Sequence, residues 1–336
     1  MRTKSMLNIA LSALVFSIGA AAEKLPPVNI DLALANGVLY LPDTNDYTKF
    51  GSQAGPVTAT PAPNGLALPN FSPYLEISDV ISVNGVAVNG VFVNQGRVLQ
   101  LTRTPRPGQA ISDSTWYTVA SPSIELLTPN GTRIGTFYSS GFALGAPPAG
   151  APMGFSGLAG AIQGGTGAFV GATGQCLAGY AGARIASIQE DPANRRTLGG
   201  QPNPPIGHIL CQLIPAVRPE IEAVYHADFT PVTPGKPAYK GETLILLATG
   251  LGATTPGVDA GQPFQPFGQG VQSINSPVTV VVNGTAVSAI NALGWPGLVD
   301  IYRVDFEVPG DTRSGQAAVQ LVAAWIPGHT LSVPVQ

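Results

Sequence analysis

Glycine and proline limit the folds open to this chain more than any other residues do. They supply 41 and 32 of the 336 residues, about one in five. Inside a helix glycine costs about 1 kcal/mol and proline about 3 kcal/mol relative to alanine. Only 10% of the residues are charged and 44% are hydrophobic, which excludes a disordered polyelectrolyte because enough apolar surface can be buried. The composition predicts a turn-rich, all-β protein of one or two domains.

The first 22 residues have the parts of a secretory signal peptide. Arg2 and Lys4 give a positive start, residues 6–20 are uncharged and apolar, and Ala20–Ala22 offers small residues for cleavage. The apolar run is shorter than the roughly 20 residues of a bilayer span, so we expect cleavage rather than a retained anchor. The mature chain is then expected to be secreted, periplasmic or at the cell surface, and not an integral membrane protein.

The charge pattern bears on the partner. Without Arg2 and Lys4 the chain has 14 basic and 19 acidic residues, and the densest basic grouping, 103–106, holds only two arginines. Nucleic-acid binding needs a concentrated positive face, so this class of partner is excluded. A small apolar ligand and an extracellular or cell-surface protein are the partners that we expect.

The first half carries dense strand signals. Asn-Gly pairs at 36–37, 84–85 and 89–90, flanked by apolar residues, predict turns. Within the glycine-rich segment 161–182, Gly165, Gly167 and Gly171 share parity, so on a strand they would line one face. Missing side chains there permit the bending or close backbone approach that closing a barrel requires. The sequence predicts a closed β-barrel over 23–215, with an N-terminal extension.

The cysteines number two, Cys176 and Cys211. An even pair in a secreted chain predicts one disulfide, with two buried free thiols as the alternative.

The second half has a different pattern. Prolines bracket the run PAVRP at 215–219, which marks a domain boundary. Beyond it seven short segments with strand character follow, among them 285–293, separated by glycine and proline. This spacing predicts a small β-sandwich over 216–336.

Two resemblances extend this interpretation. The string 241–252 (GETLILLATGLG), followed by Thr255-Pro256-Gly257, resembles the opening of the C-terminal Ig-like domain of many secreted acidobacterial proteins, which is similar to the IPT/TIG group. That resemblance implies an extracytoplasmic spacer, attachment or interaction domain. More weakly, 164–174 (GGTGAFVGATG) resembles a strand of the dirigent and allene oxide cyclase barrel superfamily, which implies a barrel whose relatives guide radical coupling or cyclise an allene oxide.

Motifs for chemistry are scarce. The glycine-rich segment lacks the Gly-Lys-Ser/Thr ending of a phosphate loop, and the nucleophile elbow Gly-x-Ser-x-Gly is absent. His208, His226 and His329 have no partner at a recognisable spacing, so we expect no catalytic residue, no metal site and no cofactor.

Four residues on neighbouring predicted strands are candidates for a ligand site in the lumen: Trp116, Tyr117, Glu125 and Tyr138. Adjacent strand residues face opposite sides, so at most one of Trp116 and Tyr117 can point inward. The leading hypothesis is a secreted, non-catalytic binding or interaction protein, a β-barrel joined to an Ig-like attachment or spacer domain. The alternative is a small-ligand isomerase, cyclase or coupling guide that acts inside the barrel, where a buried Glu125 would do acid–base work.

Overall fold

The computed structural model describes residues 25–41, 72–100, 116–144, 158–179, 183–187, 197–200, 203, 205–266 and 268–336. In this part of the chain all regular structure is β-strand, which confirms the all-β class; it holds no helix, and hence none that could cross a membrane. The expected signal peptide, 1–22, lies outside these residues.

The first half closes into a barrel, as predicted. Its strands are β1 Val28–Leu41, β2 Ser72–Val83, β3 Val86–Ala87, β4 Asn89–Gln100, β5 Trp116–Leu127, β6 Arg133–Leu144, β7 Leu158–Gly167, β8 Thr173–Gly179, β9 Arg184–Ser187, β10 Thr197–Gly200 and β11 Gly207–Ile214. Eight of them form a ring in the order β1-β11-β8-β7-β6-β5-β4-β2, which closes because β2 also pairs with β1. β9 runs parallel to the end of β1 and carries β10, and β3 extends β2.

The two ends of the barrel differ in their connections. Short turns at 84–85, 128–132 and 168–172 join strands at one end, here called the turn end. Because neighbouring strands are antiparallel, the connections 42–71, 101–115 and 145–157 join strands at the opposite end. Of the two ends, the turn end is the one that the structure describes fully.

The lumen at the turn end is filled with large apolar side chains. Buried side chains from the strands, together with one from a turn, form a single cluster: Ile30, Leu32, Val80, Phe92, Ile124, Leu126, Ile134, Phe137, Ile162, Phe169, Ile209 and Leu213. Phe169 comes from the turn after β7, and its ring meets that of Phe137 edge to face at 5.2 Å between centroids. This turn folds into the barrel and closes its end.

The Asn-Gly signals had different outcomes. Asn84-Gly85 is a hairpin turn with positive φ at both residues, 50° and 79°, as predicted. Asn36-Gly37 lies within β1, where a register shift against β2 marks a bulge. The turn predicted at Asn89-Gly90 is wrong, because both residues begin β4 and pair with β5.

The second half consists of two antiparallel sheets. Its strands are β12 Glu220–His226, β13 Thr243–Thr249, β14 Thr254–Thr255, β15 Ser273–Ile274, β16 Val278–Val282, β17 Thr285–Ser288, β18 Asn291–Gly294, β19 Tyr302–Glu307, β20 Gly315–Ala323 and β21 Ile326–Val335. The sheets have the orders β12-β13-β19-β18-β15-β14 and β17-β16-β20-β21, and their inner faces share one apolar core. The single strand expected over 285–293 is wrong: β17 and β18 lie in different sheets.

Cys176 and Cys211 form a disulfide, which confirms that prediction. They are directly opposite each other on β8 and β11, with Cα atoms 4.0 Å apart, and both point into the lumen. The bond thus fastens two neighbouring barrel strands from the inside.

The two halves meet at the turn end of the barrel. Ala324 and Ile326, from the hairpin between β20 and β21, are buried in the same cluster as the barrel's lumen residues, and Trp325 packs against it. Arg218, in the 215–219 segment, donates to the carbonyl of Pro327 on that hairpin at 2.8 Å and to the carbonyl of Pro26 before β1 at 2.7 Å. The β20–β21 hairpin of the second half therefore packs against the lumen residues at the turn end. Arg218, in the connecting segment, is hydrogen-bonded both to this hairpin and to the residues before β1.

Candidate functional site

The residues predicted for the lumen do not meet there. Glu125 lies on the outer face of β5, since its neighbours Ile124 and Leu126 are the inward ones, and it forms an ion pair with Arg133 at 2.5 Å. Tyr138 is 45% exposed on the outside of β6. The placement of Glu125 and Tyr138 in the lumen is therefore wrong. Trp116 and Tyr117 begin β5, but their side chains lie outside the described residues.

Tyr138 has a structural role on the outer face. A Cβ atom added to Gly164, opposite it on β7, would lie 2.6 Å from the Tyr138 hydroxyl oxygen. The aromatic ring therefore covers the glycine and fills the space that its missing side chain leaves.

The barrel glycines allow close backbone approach, though not as one row. A Cβ atom at Gly165 would come within 2.6 Å of the Thr136 carbonyl oxygen, and one at Gly167 would clash with the carbonyl of Ile134. Gly171 lies in the turn after β7 rather than on the strand, so the shared face predicted for Gly165, Gly167 and Gly171 is wrong. Gly167 and Gly171 have φ of 59° and 66°, which lets the turn fold back and deliver Phe169 to the lumen.

Among the described lumen residues, the cavity that they enclose is small. It measures about 20 Å³ and is lined by Phe92, Ala120, Pro122, Ile124, Ser139, Gly141, Gly160, Cys176 and Ile209. A volume of this size holds about one water molecule. Small-molecule sites are commonly on the order of 300–1,000 Å³.

A carboxyl group does lie in the lumen, but at a residue that the sequence did not single out. Glu76 on β2 shares inward parity with Ser78 and Val80, and it accepts a hydrogen bond from the Asn94 amide at 3.3 Å. Burial raises the pKa of Glu76, and the Asn94 bond opposes this more weakly. Glu76 stands between the apolar residues Leu75 and Ile77, so no local pattern marks it as the inward residue.

Glu76→Gln should stabilise the protein at neutral pH. The pKa of Glu76 is raised in the folded state, so the folded protein favours the neutral carboxyl group. Below the pKa of an unfolded glutamate, about 4.3, the group is neutral in both states and stability is at its full value. As pH rises from there through the folded pKa, stability is lost because the buried group must ionise. Glutamine is never charged, so the variant should have the higher melting temperature at neutral pH and lose the advantage in acid. Thermal unfolding against pH measures this. Glu125→Gln, on the outer face, is the control and should change little; equal pH profiles for Glu76→Gln and wild type would contradict the expectation.

The three histidines each contact a carboxylate that is distant in sequence. Nδ1 of His208 lies 2.9 Å from Asp31, that of His226 lies 2.6 Å from Glu242, and that of His329 lies 2.7 Å from Glu220. His226 is buried, and its Nε2 lies 3.2 Å from the Lys236 carbonyl oxygen. Both ring nitrogens of His226 thus face acceptors within the protein. The side chain therefore serves to hold the segment 227–236 in place and has no ring nitrogen left to act as a general base.

A groove on the second half brings together side chains suited to recognition. It lies on the outer face of the six-stranded sheet, measures about 280 Å³ and is lined by Gln265, Gly268, Gly270, Val271, Gln272, Leu293, Gly294, Trp295, Pro296 and Arg303. The Phe229 ring lies beside it, 6.1 Å from the Trp295 ring and 5.5 Å from the Arg303 guanidinium carbon. We call this feature, including Phe229, the Arg303 groove.

Arg303 is held in place by a buried carboxylate on the same strand. Arg303 donates through Nε and Nη2 to the two carboxylate oxygens of Asp305, at 2.7 and 2.9 Å. Asp305 is buried and also accepts from the Asn291 amide at 2.9 Å. A guanidinium fixed by a bidentate pair and stacked on an aromatic ring loses little entropy when it binds.

Phe229 is held as firmly, although it is half exposed. Its φ of 62° is rare for a bulky residue, and such strain is often found at functional sites. Its N–H donates to the His226 carbonyl, and the Thr230 N–H donates to the Asp228 carboxylate, both at 2.9 Å. Hydrogen bonds from Thr230, aided by Lys236, lower the pKa of Asp228 to about 2, so the carboxylate that accepts from Thr230 stays charged into acid.

A second, more polar hollow of about 450 Å³ lies between residues 252–262 and Tyr302. The Tyr302 hydroxyl donates to the Gly252 carbonyl at 2.6 Å, and burial, together with nearby Asp300, raises its pKa. The aromatic hydroxyl is therefore already used within the protein. Among the described residues, no group of three or more His, Cys, Asp or Glu side chains is gathered to hold a metal ion.

Comparison with known proteins identifies no relative. No protein-family model matches the chain, and neither a curated protein nor a solved structure matches it.

Proposed function

We propose that this chain is a secreted, non-catalytic binding protein that recognises its partner through the Arg303 groove. In this proposal the barrel is of the dirigent and allene oxide cyclase kind and serves as a scaffold, and the two sheets are an Ig-like domain. The observation that carries the proposal is a preorganised surface groove of about 280 Å³ in which Arg303 is fixed by Asp305 and stacked on Phe229.

The composition of the groove supports recognition. Trp and Arg are enriched among the residues that dominate binding energies, and aromatic residues are enriched at interfaces. Here half-exposed Phe229 contacts both Trp295 and Arg303, and hydrogen bonds hold Arg303 and the Phe229 backbone before any partner arrives. Preorganisation of this kind reduces the entropy cost of association.

Other features support the remaining parts of the proposal. Two antiparallel sheets around one core, β12 to β21, are the arrangement expected of an Ig-like sandwich. The Cys176–Cys211 bond supports secretion, because disulfides persist in oxidising compartments.

The test is binding of the purified mature chain to extracellular and cell-surface material from its own host. Trp295→Ala and Phe229→Gly should each weaken binding by about tenfold or more, the loss expected for a central aromatic residue. Phe229→Gly suits the test because glycine accepts the positive φ and should not destabilise the turn. Tyr239→Ala, which truncates an aromatic residue that is 58% exposed outside the groove, is the matched control and should bind normally. Unchanged binding by both groove variants would contradict the proposal.

Glu76 favours a second candidate function, a small-ligand isomerase or cyclase that acts in the lumen. A carboxyl group whose pKa is raised by burial is suited to proton transfer. This candidate needs more lumen space than the described cavity of about 20 Å³ provides, and native mass spectrometry of protein purified from its host tests it by looking for a retained small molecule.

A further inference from the structure

We infer that the Arg303 groove binds a neutral saccharide, a step that rests on the proposed binding function. The groove combines aromatic faces, a fixed donor and a balanced charge, and each of these properties narrows the class of ligand.

The charge argues against an anionic ligand. Asp305 neutralises Arg303 and occupies the bidentate Nε and Nη2 face of its guanidinium, so the remaining N–H groups belong to an ion pair with no net charge to attract a carboxylate or phosphate. An anion at the groove would also lie close to the Asp305 carboxylate. The surrounding domain, 216–336, has five basic and nine acidic residues, which adds to this repulsion. Nη1 of Arg303 then suits a neutral acceptor such as a hydroxyl oxygen.

The aromatic residues argue for a ligand with apolar faces as well as hydroxyl groups. The rings of Phe229 and Trp295 meet edge to face at 73°, so the ring faces that are not used in this contact or covered by Arg303 point in different directions. The carbon-bound hydrogens of a sugar ring pack on such faces, while its hydroxyls hydrogen-bond to Arg303 and the exposed Gln265 at the rim. A purely apolar ligand would leave these polar groups unpaired.

The size of the groove fits a short saccharide. A volume of about 280 Å³ lies at the lower limit of small-molecule sites. The groove is also open on the face of the sheet, so a longer chain could extend beyond it.

Titration calorimetry with defined probes tests the ligand class. The probes are neutral hexasaccharides of glucose, xylose, mannose and N-acetylglucosamine, and acidic hexasaccharides of galacturonate and of heparin. We expect at least one neutral probe to bind, with an affinity insensitive to salt, and Trp295→Ala and Phe229→Gly to weaken it by about tenfold or more. Tyr239→Ala should bind as wild type. Binding of the acidic probes alone, weakened by salt, would overturn the inference.

A second arm separates failure of this inference from failure of the proposed function. Host material is treated with periodate, which destroys vicinal diols, or with protease before binding is measured. Loss of binding after periodate only supports a saccharide. Loss after protease only, with the groove variants still impaired, identifies a protein partner and overturns the saccharide while the binding function stands. Groove variants that bind untreated material normally overturn the function itself.

Discussion

Replacing Cys176 and Cys211 together by alanine should lower the free energy of unfolding by at least about 4 kcal/mol. The disulfide closes a loop with a sequence separation of 35, and the chain-entropy estimate for a loop of this length is about 4 kcal/mol. The two sulfur atoms also fill the lumen beside a cavity of about 20 Å³, so their loss adds a packing cost. Equilibrium unfolding in urea measures the effect as a lower midpoint.

A matched pair of variants separates the cross-link from the packing. Replacing both cysteines by valine restores apolar volume without the bond, so this variant should be more stable than the alanine pair and less stable than wild type. Reduction of the unfolded wild type should give two thiols, and the unreduced protein none. A midpoint for the alanine pair equal to that of wild type would contradict the expected role of the bond.

Sequence analysis predicted the architecture because its signals are local. The glycine and proline content excludes long helices, and Asn84-Gly85 forms the turn that its residues favour. Long-range pairing overrides such signals elsewhere: β1 pairs with β11 on one side and β2 on the other, so Asn36-Gly37 becomes a bulge within a strand. The same holds at Asn89-Gly90, which the pairing with β5 keeps extended.

The lumen shows why parity is hard to read from sequence in a small barrel. Leu75 and Ile77 face outward on β2 while Glu76 and Ser78 face inward, because Val80, further along the strand, sets which side meets the core. Apolar residues therefore occur at both parities of β2, and hydrophobic alternation alone does not mark Glu76 as an inward residue.

The Arg303 groove could not be predicted because its parts are distant in sequence. Phe229 follows β12, Trp295 follows β18 and Arg303 is in β19, so only the order of strands in the sheet brings them together. The Arg303–Asp305 pair is the part of the groove that the sequence could indicate, because residues two apart on a strand share one face.

Ile326→Ala should destabilise the barrel although Ile326 belongs to the second half of the chain. Ile326 is 2% exposed and is buried in the barrel's cluster beneath the turn end. Its truncation leaves a cavity there and should cost about 2–5 kcal/mol. Hydrogen exchange should be faster in β8 and β11 as well as in β20 and β21, because the hairpin contributes to both packing units.

Val280→Ala is the control: it removes volume only from the core between the two sheets, so exchange in the barrel strands should stay as in wild type. Arg218→Met gives an independent check, since it removes the hydrogen bonds to Pro26 and Pro327 without a cavity and should loosen the same contact. Normal exchange in β8 and β11 of both Ile326→Ala and Arg218→Met would show that the two halves are stable independently, contrary to this expectation.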